Sequence, residues 1–206
     1  MHYHQGMVAG ENTLNAVCAR LVTRGITAEK GYSSSRFLAD YVSFMTTPGS
    51  HNDTYAESFH RDFFSNWAAG VPPERCAGKE GHNTPTIGGF VMLPPVVFAN
   101  AWRGEALMKR AVVEHLRLTH DSEMLAQRAE VYAGLLADLA RGKPLREAAA
   151  AAGKAIGVDV AALAKDAAGN DAAVVGRRFS TACYITDRRA RARAGSAAAR
   201  VAQRCA

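Results

Sequence analysis

The chain has 206 residues, of which 48% are hydrophobic and 21% are charged, and its formal net charge is +6. This balance excludes a disordered chain, and the lack of an apolar run of about 18 residues argues against a membrane-spanning helix. Six arginines within residues 188–206 account for the whole net charge. Residues 1–187 are therefore neutral, and nucleic acid is not a predicted partner.

Helical spacing dominates the first third of the chain. Leu14, Cys18 and their apolar neighbours at intervals of three and four predict an amphipathic helix, which Gly25 is expected to end. A second helix is predicted over residues 35–45 and a third over 53–69. The third helix is expected to pack by an apolar face made of Ala56, Phe59, Phe63 and Trp67.

A long stretch poor in helical pattern follows. Residues 70–89 are rich in Gly, Pro and Asn, and a loop of this length is typically functional or disordered. Residues 87–100 are apolar, but Pro94 and Pro95 are expected to kink or break a helix there.

The second half again predicts helices. Met108, Ala111, Val112 and His115 share one face, which makes His115 a predicted core histidine. A long helix should follow the cap at Asp121-Ser122 and close at Arg141-Gly142. Two shorter helices should cover residues 144–153 and 159–168. About seven helices and no alternating strand predict an all-α fold.

The last residues break the pattern. Residues 188–206 carry almost no large apolar side chain, so we expect a disordered basic tail after a domain formed by residues 1–187. The four cysteines form no Cys-x-x-Cys pair, which favours buried free thiols in a reducing compartment. Since no secretory signal is visible either, the predicted location is cytoplasmic.

Four short motifs follow one another in an order that can be compared with known families. The first places Gly10-Glu11-Asn12-Thr13 at a helix start, and the second is the Gly49–Thr54 turn. The third is the glycine- and proline-containing run 87–95. The fourth is Leu118-Thr119-His120 before the long helix. In this order they resemble the ADP-ribosylglycohydrolase family over roughly residues 2–187.

The resemblance implies an orthogonal helical bundle of the ADP-ribosylglycohydrolase type. We expect this chain to be incomplete at both ends, and the abrupt Arg/Ala tail would fit a frameshifted or truncated gene. The implied activity is hydrolysis of an N- or O-glycosidic bond of ADP-ribose. The implied partner is ADP-ribose or an ADP-ribosylated substrate, with neither nucleic acid nor membrane, and the oligomeric state stays open.

A binuclear Mg²⁺ site is also implied, because Mg²⁺ prefers hard oxygen ligands that orient ribose and water. Glu11, Asn12 and Thr13 match the family's first metal motif, and Glu11 and Asn12 are the predicted catalytic residues. The family has two aspartates there, and its second Asp-x-Asp-Thr motif is absent. Impaired hydrolysis is therefore expected, with a catalytically degenerate nucleotide-binding or regulatory module as the alternative.

The resemblance assigns further residues to ADP-ribose. His120 and Thr119 are expected at the cleft, and a second group is expected to hold the diphosphate and ribose: Asn83, Thr84, Gly88 and Gly89. Asn52 and Asp53 are candidates for a ribose hydroxyl. A structural alternative stays open for each of these residues. Asn12 and Asp53 are also typical helix caps. His120 could belong to a polar turn, and the glycines could belong to an ordinary loop.

Overall fold

The computed structural model describes residues 4–79 and 86–167. Over these ranges the fold is all-α, as predicted, with eight α-helices. They are α1 (Leu14–Glu29), α2 (Ser34–Thr46), α3 (Ser58–Ala68), α4 (Leu93–Asn100), α5 (Glu105–Arg117), α6 (Glu123–Ala140), α7 (Leu145–Ala155) and α8 (Val160–Ala167). Short 3₁₀ helices cover Pro73–Arg75, Ile87–Met92 and Ala101–Arg103.

One apolar core joins the helices. Helix α1 packs against α2, α4 and the Ile87–Met92 segment, while α5 packs between α4 and α6, and α7 lies on α6. The largest fully buried side chains include Leu14, Tyr41, Phe59, Phe63, Met92, Leu93, Met108, Leu116 and Leu125. Cys18 is fully buried as predicted, and burial raises the pKa of its thiol to about 12, which keeps it protonated and unreactive.

The predicted end of the first helix is wrong. Helix α1 continues through Gly25 to Glu29 and ends at Lys30, whose φ of 54° is left-handed and whose N–H donates to the Ile26 carbonyl. Gly25 is buried inside the helix, where an added Cβ would already touch Cγ of Arg36 at 3.5 Å. The glycine therefore lies within α1 beside α2 and does not end the helix.

The predicted start of the third helix is also wrong. Helix α3 begins at Ser58, not at residue 53, because the Asp53 carboxylate accepts the backbone N–H groups of Leu14 and Tyr55 in a turn that precedes the helix. Phe59 and Phe63 are buried as expected, whereas Trp67 is 38% exposed near the end of the helix.

The two prolines do not break a helix. Pro94 and Pro95 lie in the first turn of α4, where the missing N–H groups have no partner within the helix anyway. The expectation of no strand needs a small correction, since Gly78–Lys79 (β1) and His120–Asp121 (β2) pair in parallel, with Gly78 opposite His120. Ser122 then caps α6 as predicted by accepting the Leu125 N–H.

None of the helices within the described ranges is both long and apolar enough to cross a bilayer.

Candidate functional site

The carboxylate of Asp53 joins three segments of the chain. Its Oδ2 accepts the N–H of Leu14 at 2.8 Å, and its Oδ1 accepts the N–H of Tyr55 at 3.0 Å and lies 2.8 Å from Nδ1 of His4. The side chain is 1% exposed. Burial raises the pKa of Asp53, but these hydrogen bonds outweigh it and the net shift is downward. Asp53 is therefore a charged structural anchor between the N-terminal segment and the turn before α3.

Glu11 makes a second, more exposed link between the same two segments. Its Oε1 accepts the side-chain amide of Asn52 at 2.8 Å, and its Oε2 accepts the N–H of Val8 at 2.9 Å. Asn12 and Thr13 are exposed. Thr13 is the N-terminal cap position of α1, and its side chain accepts no capping hydrogen bond.

Two capping predictions are consequently wrong. Asn12 does not cap α1, because the helix begins one residue later than that role requires and the Leu14 N–H donates to Asp53 instead. Asp53 in turn does not cap α3, whose N-terminal cap position is Glu57. The cap of α1 thus comes from a residue 39 positions away in sequence, which no local pattern reveals.

A chain of hydrogen bonds runs from the core to the surface beside α1. The hydroxyl of Tyr41 lies 2.5 Å from Nδ1 of His60, and Nε2 of His60 lies 3.0 Å from Oδ1 of Asn15. The Asn15 amide donates to Oε1 of Glu57. Tyr41 and His60 are fully buried, and Glu57 is partly exposed. Burial lowers the pKa of His60 to about 3, so this imidazole is neutral at physiological pH.

The 3₁₀ helix Ile87–Met92, called the glycine segment below, packs against Glu57 through Gly88 and against His120 through Gly89. An added Cβ at Gly88 would lie 2.5 Å from Oε2 of Glu57, and one at Gly89 would lie 2.6 Å from Cε1 of His120. Both glycines are buried. Any larger residue at either position would displace Glu57 or His120, so glycine is required here for close approach rather than for a special φ.

His120 is fully buried at the junction before α6. Its Nδ1 lies 2.8 Å from the hydroxyl of Thr119, and its ring centroid is 4.3 Å from that of Phe59. Its Nε2 has no hydrogen-bond partner among the described residues. Burial lowers its pKa to about 3, so the ring is neutral. His115 is a buried core histidine, as predicted, and its Nδ1 lies 2.8 Å from the Tyr32 hydroxyl.

The structure thus brings several predicted residues together and leaves others apart. Gly88, Gly89, Thr119 and His120 form one contiguous buried group around Phe59, and Asn52 and Asp53 link the start of α1 to the turn before α3. The predicted loop residues Asn83 and Thr84 lie outside the described residues. A groove of about 230 Å³ between α5, α6 and α7 is lined by none of the predicted site residues.

Sequence reasoning missed Asn15, Glu57, His60 and Tyr41. Each looked like an ordinary residue of a predicted helix, and Glu57 in particular fell inside the helix expected over 53–69. Their importance comes from contacts between residues 19 to 45 positions apart, for which a single sequence carries no signal.

The donor set does not fit a binuclear Mg²⁺ site. Such a site needs several free carboxylates, yet within the described ranges no group of three His, Cys, Asp or Glu side chains is placed to hold a metal ion. Both oxygens of Asp53 and both oxygens of Glu11 already accept hydrogen bonds from the protein. Residues 11–13 offer one carboxylate, one amide and one hydroxyl, and the carboxylate is already engaged, so the described residues do not support the Mg²⁺ prediction.

The fold and these contacts define an all-α protein with a buried, neutral, histidine-containing polar site beneath a glycine segment. A family model described as ADP-ribosylglycohydrolase matches residues 1–205, and the chain therefore belongs to the ADP-ribosylglycohydrolase family. This membership supports an ADP-ribosylglycohydrolase-like function in general terms. No curated protein and no solved structure matches the chain.

Proposed function

We propose that this chain binds the ADP-ribose moiety of a free nucleotide or a modified substrate, and that its hydrolysis of the N- or O-glycosidic bond is impaired. The supporting observation is the contact between segments that are far apart in sequence. Gly89 lies against His120, Gly88 lies against Glu57, and Glu57 is hydrogen-bonded to Asn15 on the first turn of α1. The resemblance assigns Gly88, Gly89 and His120 to the substrate, and the contacts of Glu57 and Asn15 join the starts of α3 and α1 to that group.

Individual roles within this proposal follow the resemblance. The resemblance assigns His120, Thr119, Gly88 and Gly89 to the substrate, and it assigns Asn83 and Thr84, which lie outside the described residues, to the same role. It makes Asn52 and Asp53 candidates for a ribose hydroxyl, Glu11 and Asn12 candidates for action on the glycosidic bond, and Glu11, Asn12 and Thr13 the match to the family's first metal motif.

Impairment follows from the charges that are engaged elsewhere. Both oxygens of Glu11 accept hydrogen bonds, from the Asn52 side chain and the Val8 N–H, so the one carboxylate of residues 11–13 has little capacity to orient water or a cation. The same observation favours the second candidate, a binding module without hydrolysis.

Two measurements on the full chain separate these functions. We expect calorimetry to show ADP-ribose binding whether or not Mg²⁺ is present, and we expect no measurable release of ADP-ribose from modified arginine or serine peptides. Efficient release at micromolar enzyme would contradict the impairment. Release that is slow but depends on Glu11 would favour the weak hydrolase over the binding module. A lack of ADP-ribose binding would reject both candidates.

A further inference from the structure

We infer that Glu57 is the ribose-recognising residue of this protein, with its carboxylate accepting hydrogen bonds from the vicinal hydroxyls of the terminal ribose of ADP-ribose. The inference rests on the proposed function and adds to it a subsite that neither the sequence motifs nor the family match assigns. Three features carry it, namely the fixed orientation of the carboxylate, its position at the glycine segment, and its charge.

The orientation of Glu57 is set by a directional chain of hydrogen bonds. The Glu57 carboxylate can only accept, so the Asn15 amino group faces it and Oδ1 of Asn15 must accept from His60. Nε2 of the neutral His60 ring therefore carries the hydrogen, Nδ1 is an acceptor, and the Tyr41 hydroxyl donates to it. The hydrogen on Nε2 points to Oδ1 of Asn15, 3.0 Å away, and the Asn15 amino group contacts Oε1 of Glu57. Each step permits only one arrangement of donors and acceptors.

The position of Glu57 places this carboxylate at the edge of the proposed site. Glu57 occupies the N-terminal cap position of α3, is partly exposed, and has both carboxylate oxygens beside Gly88. The next residue of that segment, Gly89, lies against the buried ring of His120. Oε2 accepts no hydrogen bond from any described residue, whereas Oε1 is held by Asn15.

The charge of Glu57 selects the class of group that it binds. An ionised carboxylate is an acceptor only, so it pairs with donors and repels an anion in the same place. This disfavours the diphosphate at Gly88. A divalent cation is disfavoured as well, since no cluster of three acidic, His or Cys side chains suited to a metal occurs among the described residues. Two neighbouring ribose hydroxyls offer two donors, which match the two lone pairs of Oε2, the oxygen that accepts from no described residue.

A buried chain of polar groups is costly unless every member is satisfied, and a purely structural network would show its effect in stability alone. Glu57→Gln tests the difference, because glutamine has the same size but lacks the charge. The probes are ADP-ribose and ADP, which differ by the terminal ribose and its phosphate linkage. Glu147→Gln on α7 is the matched control, since Glu147 is exposed and makes none of the contacts described above.

We expect Glu57→Gln to weaken ADP-ribose binding about tenfold, the effect of losing a charged hydrogen-bond acceptor. Binding of ADP by the same variant should stay within about twofold of the unsubstituted protein, and Glu147→Gln should change neither ligand. Glu57→Asp keeps the charge but withdraws it by one methylene, so it should also lose ADP-ribose selectively. If Glu57→Gln does not fold, the binding of ADP-ribose and ADP by Glu57→Asp provides the test.

Three outcomes would overturn the inference. Unchanged ADP-ribose affinity in Glu57→Gln would remove Glu57 from the site while leaving the proposed function intact. An equal loss for ADP and ADP-ribose would show that Glu57 acts on the protein fold or near the diphosphate instead of on the terminal ribose. If the unsubstituted protein binds no ADP-ribose, the proposed function fails together with this inference.

Discussion

The carboxylate of Asp53 accepts the backbone N–H of Leu14, the first residue of α1, at a distance of 2.8 Å and across 39 positions of sequence. The first turn of a helix leaves N–H groups without intrahelical partners, and a carboxylate near them is stabilising through both hydrogen bonding and the helix dipole. A residue of the turn before α3 thus determines how α1 begins, and both elements carry residues of the candidate site.

Replacing this carboxylate should destabilise the fold. Asp53→Asn keeps one acceptor oxygen but removes the charge and turns an amide donor toward existing donors, so we expect a loss of about 2 kcal/mol in the free energy of unfolding. Urea denaturation at neutral pH measures it. Asp159→Asn is the control, because Asp159 accepts the Ala162 N–H locally and in an exposed place, where asparagine caps equally well. Equal stability of both variants would contradict the anchoring role.

The hydrogen bond between Tyr41 and His60 should contribute measurably to stability. Tyr41→Phe removes the hydroxyl that lies 2.5 Å from Nδ1 of His60 and leaves that buried nitrogen without its partner. We expect a loss of about 1 to 2 kcal/mol. Tyr132→Phe is the matched variant, because the Tyr132 ring stacks on Phe90 and is only partly buried. Thermal unfolding that shifts by the same amount in both variants would argue against the directional chain.

Two glycine-to-alanine variants should change stability in opposite directions. In Gly89→Ala the new Cβ would lie 2.6 Å from Cε1 of the buried His120 ring, so the ring or the segment must move, at a cost of about 1 to 3 kcal/mol. In Gly134→Ala on α6 the nearest atom is Cε of Lys109 at 3.8 Å. A gain of about 0.5 to 1 kcal/mol is expected there, because alanine favours the helix.

Chemical denaturation of the two variants side by side tests this contrast. A stability loss in Gly134→Ala, or none in Gly89→Ala, would show that the packing around these two positions differs from that described.

The folded protein should lose stability as the pH falls below about 6.5, the ordinary pKa of histidine. Burial lowers the pKa values of His60, His115 and His120 to about 3. Between these values the unfolded chain binds protons that the folded chain does not, so stability is fully present above the unfolded pKa and declines as the pH falls. Each histidine contributes about 1.4 kcal/mol per pH unit in that interval.

Urea unfolding at several pH values between about 7.5 and 5 measures the slope, which should grow as the pH falls and correspond to uptake of about three protons on unfolding near pH 5. His115→Gln should reduce the uptake by about one proton, since glutamine does not titrate. A free energy of unfolding that stays constant over this range would show that these rings are not buried as neutral groups.

Much of the helical scaffold could be predicted from local pattern. The spacing of Leu14 and Cys18, the face shared by Met108 and His115, and the cap at Ser122 all depend on residues within a few positions, and each prediction is confirmed. Helix boundaries were harder. Gly25 was expected to end α1 and Asp53 to cap α3, yet Gly25 lies inside α1 and Asp53 accepts the N–H of a residue 39 positions away.

The sequence by itself determined the class of fold and the family, because both depend on the order and periodicity of residues along the chain. Only the tertiary structure decided which polar groups meet: Asp53 with Leu14, Asn15 with both His60 and Glu57, and Gly89 with His120. The physical reason is that helical periodicity repeats over a few residues, whereas a hydrogen bond between buried side chains depends on how whole helices pack.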